Sequence, residues 1–284
     1  MTQGRYIKPT RPPVPYLGGK RQLASRIAAR AAQVPHDLYA EPFVGAGGVF
    51  LRRTWAPSVE IVNDVNAELV TFLRCLQRHP EAFRAEIRYR VQARAEFERL
   101  KRQDPTTLTD LERAARFFYL QRTAFGGKIA GRTFGVDATQ RGGSRFNSDG
   151  LDGVLEQVHR RLSGVVVECL DWREFLRRYD RPGALFYLDP PYHGHEGDYG
   201  SGVFRRSDFE AMAEVLNDLK GRFLMSLNDT PEVRSIFAGF AQEQVRLSYF
   251  VGGYKTGAKP IQELLIHRGC EPAGGLLDLA DAPW

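Results

Sequence analysis

Cysteine is scarce: Cys75, Cys169 and Cys270 are the only three in 284 residues. An odd number of widely separated thiols with no C-x-x-C pair argues against a disulfide framework and against a zinc site. Long apolar runs are missing too. No stretch approaches the ~20 apolar residues that span a bilayer. Met1 to Pro13 carries Arg5, Lys8 and Arg11 but no apolar core of a signal peptide. The expectation is a soluble, cytoplasmic protein with no membrane association and no obligate protein partner. Internal repeats and low-complexity tracts are absent. His193-Gly194-His195-Glu196 resembles a metal motif but lacks partners at suitable spacing, so it reads as a loop and no metal is expected. Acids nearly vanish from one segment. Between Arg113 and Arg145 seven basic residues stand against one acid, Asp137, and this accounts for the whole net charge of +6. A basic stripe in a glycine-rich stretch suits phosphate binding, the alternative being a solvated loop with no partner.

What is present is ample for a core, with 43% apolar residues. Helical periodicity over 19–34 is followed by strands at 38–43 and 59–62 and a helix at 66–77, a β-α type opening in which Val49 begins a helix. Residues 80–123 are helical and heavily charged, and 125–147 are aperiodic and rich in glycine and arginine. Strands return at 165–169, 184–188 and 223–227, with an antiparallel pair at 244–251 and 262–267. The reading is an α/β fold: a catalytic domain formed by 1–79 and 160–284, and an inserted, mostly helical domain over 80–159. Ligands of open α/β sheets bind at the carboxyl ends of parallel strands, where Phe43 and Asp189 both fall.

Glu41-Pro42-Phe43-Val44-Gly45-Ala46-Gly47-Gly48 follows the first of these strands. Small residues at a strand-to-helix turn let a ligand approach the backbone, although a tight turn needs them as well. Asp64 lies 19 residues beyond Gly45, at the end of the next strand, where a carboxylate can hold two ribose hydroxyls. Together they indicate an adenosine-containing cofactor, contacted by Glu41, Phe43, Gly45, Gly47 and Asp64. Asp171 and Trp172 end a later strand and suit an adenine amine and ring face, with a helix N-cap as the alternative for Asp171. Asp189-Pro190-Pro191-Tyr192 follows Ala184-Leu185-Phe186-Tyr187-Leu188. Two prolines donate no backbone hydrogen bonds, so the chain leaves the sheet with free carbonyls beside a carboxylate and an aromatic ring. Asp189 and the Pro190 carbonyl can accept the two hydrogens of an aromatic amine, and Tyr192 can stack on its ring.

The order Pro15-Tyr16-Leu17-Gly18-Gly19-Lys20, then Glu41 to Gly47, Asp64, a basic insert and Asp189-Pro190-Pro191-Tyr192 resembles the Dam-like, D12-class DNA adenine N6-methyltransferases. Phe117 to Arg122 and Glu263-Leu264-Leu265 extend the resemblance along nearly the whole chain. It implies a Rossmann-like fold, S-adenosylmethionine as methyl donor and double-stranded DNA as substrate, with Tyr16, Lys20, Asp64 and Asp189 as cofactor contacts. An amine paired inside a duplex is unreachable, so the base must be extruded. Arg122, Lys128, Arg132, Arg141 and Arg145 are expected to grip phosphates or guanine edges, and Phe125 to act as a wedge or a buried loop anchor. Tyr199 and Phe204 are expected either to cover the extruded base or to pack in the core. Two departures stand out. GATC-specific members carry Asn-Gly after the aromatic where this chain has Phe125-Gly126-Gly127-Lys128, and Ser-Asn where it has Ser226-Leu227-Asn228. Methylation of cytosine N4 or an RNA base, and a non-catalytic DNA-binding module, are the competing expectations. Asp at the first position of the tetrapeptide favours DNA adenine over a protein glutamine substrate, and an oxidoreductase would leave the tetrapeptide unexplained.

Overall fold

A computed structural model describes residues 4–16, 23–135, 148–199, 202–247 and 261–271. The chain enters through β1 (Arg5–Tyr6) and α1 (Ala24–Gln33), then β2 (Leu38–Glu41), β3 (Trp55–Ala56), β4 (Val59–Asn63) and α2 (Ala67–Arg78). Four helices follow: α3 (Pro80–Ile87), α4 (Arg94–Arg102), α5 (Asp110–Thr123) and α6 (Ser148–Leu162). The second half is β5 (Val166–Glu168), α7 (Trp172–Tyr179), β6 (Ala184–Leu188), α8 (Ser207–Asn217), β7 (Arg222–Asn228), α9 (Pro231–Ile236), β8 (Ala241–Leu247) and β9 (Ile261–Arg268).

Seven strands form one sheet in the order β5-β4-β2-β6-β7-β9-β8. The first five are parallel, and β9 runs antiparallel to both of its neighbours. From β2 the chain proceeds outward to β4 and β5 before returning to β6 on the other side of β2. This reversal opens a crevice between the carboxyl ends of β2 and β6. Both strands are buried throughout, as central parallel strands covered on two faces must be. Alternation still sorts their side chains. Tyr39, Leu185 and Tyr187 join the core beneath α1 and α2, while Leu38, Ala40, Phe186 and Leu188 join the core beneath α7, α8 and α9.

Local chemistry sets the helix starts. The Asn66 side chain accepts from the amides of Glu68 and Leu69 at the start of α2, and Thr109 with Glu112 forms a capping box on α5. Helices α3 to α5 do not build a core apart from the sheet: Phe83, Phe117 and Phe118 pack on Phe72 of α2 at 5.4 to 5.7 Å between ring centroids, inside the cluster that also holds Tyr39 and Val62. The helix expected from Val49 is a correction. Phe50–Arg52 make a single 3-10 turn, because Arg53 turns extended and the next residues pair as β3 with β1. Arg53 then meets Glu60, which also binds Arg161, a buried charge cluster that ties this crossover to β4 and α6. Among the described residues no helix is long and apolar enough to cross a membrane.

Candidate active site

A cavity of about 990 Å³ opens where β2 and β6 end. Its walls bring together segments distant in the chain: Pro15 and Tyr16, Glu41 to Ala46, Asp64, Leu170 to Trp172, and Tyr187, Asp189 and Pro191. On one side the turn after β2 presents nearly bare backbone. Gly45 holds φ +51°, and a Cβ there would lie 3.1 Å from the Tyr16 ring. Asp64 closes this wall from below. Its Oδ2 accepts the Gly45 amide at 3.0 Å and its Oδ1 accepts the Asn66 amide at 2.9 Å. Burial lifts its carboxyl to about 6, against the pull of those two amides. Gly47 stands behind the wall. At φ +78°, with a Cβ position 3.0 Å from Leu51, it serves the turn and is not among the lining residues.

Asp171 caps α7 by accepting the Arg173 amide at 2.8 Å while lining the cavity. The N-cap and the cavity position therefore coincide in one residue. Trp172 is 4% exposed, and its indole N–H has no hydrogen-bond partner among the described residues. A buried N–H without an acceptor is costly, and this one belongs to a residue of the cavity wall.

On the opposite side Asp189 follows β6. Ser226 of β7 donates to its Oδ1 at 3.2 Å, and the Tyr187 hydroxyl lies 2.8 Å from the same Ser226 oxygen. Glu41, 1% exposed, accepts the Tyr39 hydroxyl at 2.7 Å, and burial raises it to about 8, with the nearby Asp189 acting in the same direction. Two carboxyl groups thus share one crevice in different surroundings. Asp189 has hydroxyl support, whereas burial favours the neutral form of Glu41.

This constellation has counterparts in known proteins. The model of the family described as D12 class N6 adenine-specific DNA methyltransferase matches residues 16–248. The chain belongs to this family. It is similar to the Type II methyltransferase M1.LlaDCHI of Lactococcus lactis subsp. cremoris, 24% identical over 90% of this chain and 94% of that one. The DNA adenine methylase of Escherichia coli K12 is 25% identical over 91% and 95%. The Type II methyltransferase M.CviBI of Paramecium bursaria Chlorella virus NC1A is 21% identical over 84% and 91%. The protein is an adenine-specific DNA methyltransferase that uses S-adenosylmethionine as methyl donor.

The methyltransferase's remaining expected site residues fall into three groups. Lys20, Arg141 and Arg145 lie outside the described residues, and of Tyr199 only the backbone, the end of a 3-10 turn, is described. Others meet the cavity: Phe43 and Arg122 line it, as does Phe204, which packs edge-on to Phe43 at 6.1 Å and is 4% exposed. A third group sits elsewhere. Pro190 is buried and is not itself a lining residue, although Asp189 and Pro191 on either side of it are, so its backbone passes the cavity wall. Tyr192 is half-buried, also outside the lining, with its hydroxyl donating to Glu263 at 2.6 Å. This hydrogen bond ties the ring expected to stack on the target base to β9. Arg132, expected at phosphates, turns inward: it donates to Gln121 Oε1 at 3.0 Å and to the Lys128 carbonyl at 3.2 Å, above the Phe117 ring. Gln121 leaves an acceptor there because its amide group is committed to the Pro15 and Gly127 carbonyls. Phe125 is 60% exposed, which removes the buried-anchor alternative, and Lys128 is exposed beside it.

Residues without an expected role also shape the site. Ser226 supports Asp189, and Glu263 supports Tyr192. Asn228, paired with Glu263 across β7 and β9, clamps His193 by accepting its amide at 2.9 Å and donating to its carbonyl at 3.0 Å. Ser226 and Glu263 both belong to short motifs visible in the sequence, but their partners are brought near only by strand order. Arg11 and Arg52 line the cavity without any local signal.

Proposed function

We propose that this cavity is where adenine N6 of an extruded base in duplex DNA is methylated, with Asp189 and the Pro190 carbonyl accepting the two N6 hydrogens. The observation that carries this reading is the Asp189 carboxylate in one wall of the space whose other wall is the Gly45 turn and Asp64. An adenine amine is a weak nucleophile because its lone pair is delocalised into the ring. Acceptors at both hydrogens favour a pyramidal nitrogen and stabilise the positive charge that develops on it. Bound in the site, S-adenosylmethionine supplies an electrophilic methyl group on a sulfonium.

The residues present fit that donor. Asp64 offers an ionisable carboxylate to ribose hydroxyls, Asp171 an acceptor to an adenine amine, and Trp172 a ring face together with an indole N–H lacking a partner among the described residues. The side-chain-free turn at Gly45, with Tyr16 and Phe43 beside it, gives room for close approach. Glu41 stands further back, where its neutral form limits repulsion of Asp189. We assign Arg122 and Phe204 to the mouth through which the base enters, and Phe125, Lys128, Arg141 and Arg145 to DNA contact. A DNA substrate and three cysteines outside any disulfide suit the cytoplasm.

Incubation with a labelled methyl donor and unmethylated duplex DNA, followed by digestion and nucleoside identification, tests the reading. N6-methyladenine is expected from the parent protein. Asp189→Ala should lose methyl transfer by about 10²-fold or more while still binding DNA. Undiminished turnover in that variant would remove Asp189 from the assigned role.

A further inference from the structure

We infer that Asn63, at the end of β4, is a positioning residue that sets the width of the slot for the methyl donor's adenine and so determines which purines the cofactor site accepts. This rests on the reading of Asp171 and Trp172 as contacts of that adenine.

Strand β4 lies between β5 and β2, and the chains that leave these two neighbours form different parts of the cavity wall. Ladder pairing between β2 and β4 ends at Glu41 with Val62, and between β4 and β5 at Asn63 with Glu168. Pro42 and Leu170 lie beyond those last pairs, where the ladders no longer hold the backbone. The side chain of Asn63, a residue 1% exposed, takes over there. Its Nδ2 donates to the Pro42 carbonyl at 2.9 Å and to the Leu170 carbonyl at 3.0 Å, while its Oδ1 accepts the Leu170 amide at 2.8 Å. Two carbonyls at one end of the carboxamide and an N–H at the other fix which way it faces. Because β2 and β5 share no ladder, one side chain joins two segments that the sheet keeps apart.

The residues that follow these two anchors are the ones assigned to the cofactor. Phe43 comes after Pro42, Asp171 and Trp172 come after Leu170, and all three line the cavity. The main chain of Asn63 and the side chain of Asp64 grip the turn as well: the Asn63 carbonyl accepts the Val44 amide at 2.9 Å, and Asp64 Oδ2 accepts the Gly45 amide at 3.0 Å. The sheet itself does not need the carboxamide bonds, since its ladders already join β2 to β4 and β4 to β5. What those bonds fix is the spacing between Phe43 and Asp171. A planar base is held between two walls at one spacing only, and Asp171 can accept an amine hydrogen only from a base held close to it. Removing the carboxamide would strand the Leu170 N–H and two carbonyls, and the 170–171 segment would shift to find other partners. The slot then widens, so that a bulkier purine gains where adenine loses.

Calorimetric binding of S-adenosylhomocysteine and of its N6-benzyl derivative to the full-length protein tests this without turnover. The parent should favour the unsubstituted compound by about 10²-fold, because Asp171 and a fixed wall leave no room for a group on the amine. Asn63→Ala should bind S-adenosylhomocysteine about tenfold more weakly and the benzyl derivative no more weakly than the parent does, so the preference falls. Asn63→Asp keeps the size of the side chain and the acceptor for the Leu170 amide but lacks the donor for the two carbonyls. It should lose preference in the same direction, which frees the test from the folding of one variant. Met212→Ala, in the core beneath α8 and outside the cavity lining, weakens packing without touching the slot and should keep the parent's preference. Parent-like preference in both Asn63 variants would overturn the inference. So would equal losses for the two compounds, or a Met212→Ala variant that loses preference as the Asn63 variants do, either of which would reduce Asn63 to a stabilising contact. Asp171→Ala separates the two readings. If it binds both compounds as the parent does, the assignment of Asp171 to the adenine fails. If it loses the preference while the Asn63 variants keep it, the role of Asn63 alone fails.

Discussion

Ser226 of β7 donates its hydroxyl proton to Asp189 at the end of β6, 3.2 Å away. A serine has one such proton, and an ionised carboxylate can only accept, so the Tyr187 hydroxyl at 2.8 Å must in turn donate to Ser226. With Asp189 ionised, the chain Tyr187 to Ser226 to Asp189 has one direction, and it orients the carboxylate. Ser226 is fully buried.

Ser226→Ala should lower kcat by about tenfold with KM for DNA nearly unchanged, because one charge-assisted hydrogen bond to Asp189 is lost and no binding surface is altered. Steady-state kinetics on a duplex substrate checks this. An equal rise in KM with kcat preserved would make Ser226 a binding residue and contradict the relay.

Glu263 positions Tyr192 from across the sheet. Glu263→Gln keeps a carbonyl acceptor for the tyrosine hydroxyl and should retain most of the activity. Glu263→Leu should release the ring and reduce kcat by about 10-fold or more. A fluorescent adenine analogue at the target position reports the environment of the extruded base. Its emission should change in the leucine variant and in Tyr192→Phe, but not in the glutamine variant.

Cofactor affinity should depend on acid. The Asp64 carboxyl sits at about 6, above the usual carboxylate range, because of burial. Above that pH it is a carboxylate able to accept ribose hydroxyls, and below it protonation removes the acceptor. Calorimetric affinity for S-adenosylmethionine should be flat above about pH 7 and weaken by up to roughly tenfold per pH unit below 6. Asp64→Asn should bind weakly with no such dependence, and a parent-like acid limb in that variant would assign the titration elsewhere.

Glu41 makes a stability prediction. Its folded carboxyl is raised from the usual 4.5 to about 8 by burial. The folded state therefore binds a proton more tightly than the unfolded chain, and the contribution is fully present below about pH 4.5 and lost as pH rises toward 8. Glu41→Gln keeps the acceptor for Tyr39 without the charge. Relative to the parent it should gain stability as pH rises across that window, on the order of a few kcal/mol at its upper end. Urea unfolding at pH 5 and pH 8.5 measures the difference. An equal difference at both values would show that Glu41 does not titrate there.

Where short-range chemistry decides, the chain is legible without coordinates. The glycines after β2, Asp64 ending β4 and the proline pair after β6 dictate local backbone through their own stereochemistry, so both walls of the cavity can be read from three short segments. The helix after Gly48 could not be read that way, since the pairing of β3 with the distant β1 ended it after a single turn. Nor could the fate of the arginines. Charge along the sequence says how many cations a segment carries, but whether each faces water depends on the acceptors folding brings to it, as Gln121 does for Arg132.

The amino-acid sequence alone therefore determined the fold class, the family and the segments that form two walls of the cavity, because these rest on residue types at fixed spacing along one strand or turn. Only the tertiary structure decided which groups support them. Ser226 reaches Asp189 across 37 residues and Glu263 reaches Tyr192 across 71, and neither contact exists until β7 and β9 take their places beside β6. Hydrogen bonds act over about 3 Å in space, so their partners are set by strand order and register and not by separation along the chain.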